Sequence, residues 1–87
     1  MKEAVERIGV LSVFENGEVR PLKFKWAGRV HTIKKILYKW VTREGAYPVY
    51  HFSVLTGTDD DYQLHLDSLR MTWTISGGLD TGMTDGQ

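Results

Sequence analysis

The chain has 87 residues, 41% of them hydrophobic and 25% charged, with a formal net charge of zero and no cysteine. That length suits one small domain burying only about 60% of its unfolded surface, and the near-average composition points away from disorder and fibrous repeats. The lack of cysteine excludes a disulfide scaffold, a thiolate zinc site and a Cys nucleophile, while apolar runs of a few residues fall far short of the roughly 20 that span a bilayer.

Residues 1–7, "MKEAVER", lack a signal-peptide core. They read as an N-terminal extension, a helical turn or a frayed end, on a soluble cytoplasmic protein. "IGVLSVF" at 8–14, a Glu15-Asn16-Gly17-Glu18 turn and "VRPLKFKW" then form a hairpin, because Asn-Gly readily takes the positive φ angles of a type I′ turn. A two-residue loop sets Leu11 against Leu22, Val13 against Arg20 and Gly9 against Phe24. Leu22, Phe24 and Trp26 then share one face, with Lys23 and Lys25 on the other. On the first strand Ile8, Val10 and Phe14 fall opposite Leu11, an apolar strip that is either exposed or covered by the N-terminal segment.

After a turn at Ala27-Gly28, "RVHTIKKILYKWVTR" carries two patterns. Ile33, Ile36, Leu37, Trp40 and Val41 recur at helical spacing, with Thr32 as N-cap and Gly45 beyond the end. That stripe is the alternative, an α+β fold with residues 32–43 as a helix. The preferred reading is a long strand, which accounts for the β-branched Val30, Thr32, Ile33, Ile36, Val41 and Thr42. It requires a bulge near Lys34-Lys35 to bring Ile36, Tyr38 and Trp40 to the inner face.

A tight turn centred on Gly45 sets Trp40 against Tyr50, Tyr38 against Phe52 and Ile36 against Val54, three apolar pairs. A turn at Gly57-Thr58-Asp59 sets Tyr50 against Leu66, Phe52 against Leu64 and Val54 against Tyr62. In "RMTWTIS", Met71, Trp73 and Ile75 alternate with polar residues as a last strand. The acidic, glycine-rich residues 77–87 read as a disordered tail.

Six short strands in so small a chain predict an all-β single domain over 8–76, a strongly bent six-stranded barrel of SH3-like or OB-like kind, since closure removes sticky edges. Pro21, Phe24, Trp26, Gly28-Arg29, His31, Ile33 and Ile36-Leu37 together resemble a pattern in short uncharacterised bacterial proteins of unknown function, where an aromatic, usually Tyr, follows Gly-Arg. The resemblance covers about a third of the 87 residues. It implies an all-β bacterial domain and carries no activity or catalytic residue.

No cofactor motif is present, and the serines Ser12, Ser53, Ser68 and Ser76 sit in no nucleophile elbow, so a non-catalytic protein is expected. The acids of "TGTDDDYQ" lack the alternating spacing of a calcium loop and read as a solvated turn. The register places His51 opposite His65 on the outer face, a weak candidate for a metal-binding pair, with Lys39 beside it opposing a cation.

Charge is the strongest remaining signal. Residues 19–43 hold eight Lys or Arg and no acid, whereas residues 44–87 hold one Arg and seven acids. A basic face of Lys23, Lys25, Arg29, Lys34, Lys35 and Lys39 is expected to meet an anionic partner, nucleic acid or an acidic protein. Strand alternation turns Phe24, Tyr38 and Trp40 into the core and leaves Trp26 as the candidate exposed ring. The competing expectation is a protein-interaction or oligomerisation domain.

Overall fold

The computed structural model describes residues 5–76, which form six antiparallel strands and no helix. They are β1 (Glu6–Glu15), β2 (Glu18–Trp26), β3 (Arg29–Glu44), β4 (Tyr47–Thr56), β5 (Asp61–Asp67) and β6 (Thr72–Ser76). Each strand pairs with its neighbours in sequence, and β1 pairs with β6 to close the barrel. The β-branched reading of residues 32–43 holds, and the helical stripe does not. β1 already includes Glu6 and Arg7, and the tail expected over 77–87 lies outside the described residues.

Turn chemistry sets the strand pairs. Asn16 and Gly17 take φ of 55° and 76°, and Ala27 and Gly28 take 56° and 77°, the double positive-φ signature that matches strand twist. Ala27 does so with a Cβ, at a cost on the order of 1 kcal/mol. Gly45 alone is positive in the Gly45-Ala46 turn, at 70°.

The core is Phe24, Phe52, Val54, Tyr62, Leu64, Leu66, Trp73 and Ile75. Burying each large side chain contributes about 1.5–3 kcal/mol. The β4–β5 register is the expected one, with Tyr50 against Leu66, Phe52 against Leu64 and Val54 against Tyr62. Met71 falls outside β6 and is exposed, so only Trp73 and Ile75 of that alternation enter the core.

Two registers differ from the sequence expectation. On the first hairpin a bulge between Leu11 and Ser12 shifts the pairing beyond Ser12–Pro21, so Leu11 meets Lys23 and Val10 meets Phe24. Ile8 and Val10 therefore pack against the core, while Leu11 and Phe14 are exposed. On the second, the Gly45-Ala46 loop sets Trp40 against His51 and Lys39 against Phe52, one residue from the expected pairing. A single-residue slip moves every side chain to the other face. The ladder recovers at Ile36–Val54 through a bulge at Leu37, with a second bulge at Lys34. Sixteen extended residues would run about 50 Å, longer than the 39 Å maximum extent of the molecule. The bulges bend β3 to fit.

Candidate functional site

The slip at Gly45-Ala46 decides which rings reach solvent. Phe52 points into the core, so Lys39 opposite it and Val41 two residues on lie on the inner side of β3. Tyr38 and Trp40 lie on the outer side, 72% and 40% exposed. This corrects their expected burial. Trp26 moves the other way: it packs against the core, and its Nε1–H donates to the Glu6 carboxylate at 2.7 Å. Around it Phe24 and His31 stack with centroids 5.0 Å apart, and Tyr62 meets both Phe24 and Trp26 edge-on. His31 Nε2 lies 3.3 Å from the Trp26 carbonyl oxygen, which accepts when that nitrogen is protonated. Tyr62's hydroxyl pKa is raised, first by burial and then by Asp60, with Arg29 opposing.

The basic residues separate into three groups. Lys23 and Lys25 are exposed on the outer side of β2, with neutral cross-strand partners Leu11, Gly9, Thr32 and Val30. Lys35 is exposed opposite Leu55. None of these three has an ion pair among the described residues. Lys34 holds Asp59 at 3.1 Å, and Lys39 holds Glu18 at 3.5 Å from the inner side of β3. Both pairs are exposed, a setting worth about 0–1 kcal/mol each. Lys39 is thus not on the outer face with the other lysines, contrary to the sequence expectation. Arg29 is exposed opposite Trp26, at the far end of the barrel from Trp40.

Behind Trp40 runs a line of polar side chains across four strands. Trp40 stacks on the half-buried His51, centroids 5.1 Å apart and planes 11° from parallel. Thr42 Oγ1 and His51 Nε2 are 2.7 Å apart, His51 Nδ1 and His65 Nδ1 2.7 Å, and His65 Nε2 and Ser76 Oγ 2.6 Å. With both rings neutral, the line works in one direction or the other. In one, Thr42 O–H donates to His51, whose Nδ1–H donates to His65, whose Nε2–H donates to Ser76; the second reverses every donor. Burial pushes the His51 pKa below its ordinary value.

The histidines face each other as the sequence predicted. Their centroids are 4.9 Å apart, close to the N···N distance plus two ring radii, so the facing lone-pair directions nearly coincide. That is the geometry of a shared proton. Two ligands on one metal ion converge off that axis and stand about 3 Å or more apart. Asp67 is engaged with the Arg70 guanidinium at 3.2 Å and with the backbone N–H groups of Leu69 and Arg70. Those contacts, led by the Arg70 N–H, together hold its carboxyl pKa below the usual range, although desolvation, second in size to that N–H, opposes them. Among the described residues no group of three or more His, Asp or Glu is placed to hold an ion.

The barrel is not uniformly sealed. β2 pairs with β3 only over Lys23–Trp26 and Arg29–Thr32, so the two strands diverge beyond. A cleft of about 580 Å³ occupies the seam, and one of about 680 Å³ opens at the barrel mouth between Phe14, Val41, Tyr50, Phe52, Leu66 and Met71.

Sequence reasoning missed Tyr38 and Trp40 as surface rings and Thr42 and Ser76 as partners of the histidines. The available signal was the Gly45-Ala46 pair: a two-residue loop, counted as the Asn16-Gly17 loop is counted, yields the observed register. No protein-family model, curated protein or solved structure matches this chain.

Proposed function

We propose that the barrel is a non-catalytic nucleic-acid-binding module whose contact surface is the outer face of β2 and β3. The observation that carries this is the run of Lys23, Lys25 and Lys35, without an ion pair among the described residues, leading to exposed Tyr38 and Trp40 on the same face. Phosphates take the lysines and bases take the rings, the two ingredients of single-strand binding surfaces. Small OB-like barrels bind oligonucleotides on a sheet face in this manner. The likeness supporting our reading is one of size and curvature, because this strand order is a simple up-and-down meander.

Fluorescence anisotropy with labelled oligonucleotides at low salt tests the proposal. Affinity is expected to fall steeply with salt, and replacing Lys23, Lys25 and Lys35 by Gln is expected to flatten that dependence by about 0.7–0.9 for each phosphate no longer neutralised. Absence of binding at tens of micromolar, in about 50 mM salt, rejects it.

One observation favours a second reading. Exposed Phe14, Val41 and Met71 line the mouth cleft, which suits a self-association surface. Sedimentation equilibrium separates the two: a monomer across the accessible concentration range removes the second.

A further inference from the structure

We infer that Trp40 and Tyr38 are separate platforms for two bases of an extended single strand, so that the surface selects single-stranded over duplex nucleic acid. This rests on the nucleic-acid proposal and adds strand selectivity to it. The ladder runs without interruption from Tyr38–Ser53 to Trp40–His51. The Cα atoms of the two ring-bearing residues therefore stand about 6.7 Å apart along β3, twice the roughly 3.4 Å step between stacked bases in one strand of a duplex. Bases resting on both rings are pulled off each other. A single strand can stretch to meet that spacing, whereas a duplex keeps its bases stacked and paired.

Trp40 is also a prepared platform. His51 covers one indole face in a nearly parallel stack, and Thr42 and His65 hold the His51 ring from both nitrogens. The indole's exposed remainder looks over the edge of β3, whose residues 33–44 pair with β4 alone among the described strands. A base placed there continues the stack His51, Trp40, base, at the cleft that Trp40 lines together with Phe14, Glu18 and Val19 of the first hairpin. Tyr38 lines the adjoining seam between β2 and β3. From Tyr38 the outer side of β3 leads to Lys35 and then to the level of Lys23 and Lys25, which gives the phosphates a cationic track along the strand.

The test compares a short single strand, the same strand with abasic sites at consecutive positions, and a hairpin duplex of matched charge, against the wild type, Trp40→Ala, Tyr38→Ala and Lys35→Gln. Single-strand affinity is expected to fall about 5- to 100-fold in each ring variant, with the salt dependence unchanged. Abasic sites are expected to cost the wild type a comparable factor, a measurement that needs no folded variant. Lys35→Gln should weaken single strand and duplex alike and lower the salt slope. Ring variants or abasic strands that bind as the wild-type pair does, or equal affinity for duplex, overturn the platforms while leaving the electrostatic proposal standing. Failure of the wild type to bind any of the three removes both.

Discussion

The two ends of the basic-aromatic run at residues 20–40 treat their rings in opposite ways. Around the Ala27-Gly28 turn, β2 and β3 are paired, and Phe24, Trp26 and His31 close with Tyr62 into a four-ring cluster. Past Thr32 the two strands part, and Tyr38 and Trp40 stand in solvent on the far side of the sheet. The same residue types thus build a core at one end and a contact surface at the other. What separates them is partner and face: residues 29–32 of β3 pair with β2, where the inner-facing Phe24, Trp26 and His31 meet Tyr62, whereas residues 33–44 pair with β4 and turn Tyr38 and Trp40 outward beside an edge that β2 leaves open.

The sharpest test of this contrast is a pair of truncations read by urea or thermal unfolding. Phe24 is 1% exposed, and Phe24→Ala should cost about 3–5 kcal/mol, as for other buried rings, enough to leave so small a domain largely unfolded. Trp40→Ala should cost about 1 kcal/mol or less in stability, its effect appearing in nucleic-acid affinity instead. Similar losses at both sites would break the comparison.

A smaller effect is expected at the turn of the closed end. Ala27→Gly removes the positive-φ penalty of Ala27 and adds glycine's entropy cost, for a net gain of about 0.5–1 kcal/mol, read as a raised unfolding midpoint. A loss would show that the turn is not strained.

Protonation should probe the open end. The His51 pKa lies below its ordinary value of 6.5 because burial disfavours the charged ring. Between the two values the unfolded chain holds more protons, so stability is full above 6.5 and declines as pH falls through that window. Only with both rings charged would two N–H donors stand face to face across the 2.7 Å contact. The melting temperature is therefore expected to drop on acidification, and His51→Gln to flatten the drop. An unchanged pH profile in that variant would sever Trp40's support from the histidines.

The smallest effect belongs to Lys39. Its 3.5 Å pair with Glu18 bridges the seam with both side chains more than half exposed, so Lys39→Gln should change stability by less than about 1 kcal/mol. A larger loss would mean that this pair, and not the strand ladders, holds the two edges together.

Local chemistry was enough for much of this molecule. Asn16-Gly17 demanded a positive-φ turn, period-two alternation marked the β4, β5 and β6 cores, and all three inner pairs of β4 with β5 follow from counting outward from their loop. The division of lysines from core rings on β2 follows from the same alternation, as does the meeting of His51 with His65. Tertiary structure decided the rest. The two-residue Gly45-Ala46 loop sets the face of Tyr38, Lys39 and Trp40, but the bulge at Leu37, which returns Ile36 to the core side opposite Val54, belongs to the closed sheet. The bulge at Lys34 falls where the alternation called for one, whereas the bulge at Leu37 has no sequence signature of its own. It forms where the curvature of a closed sheet and the length of a 16-residue strand have to be reconciled, and a shift of one residue is all that separates buried rings from a binding face.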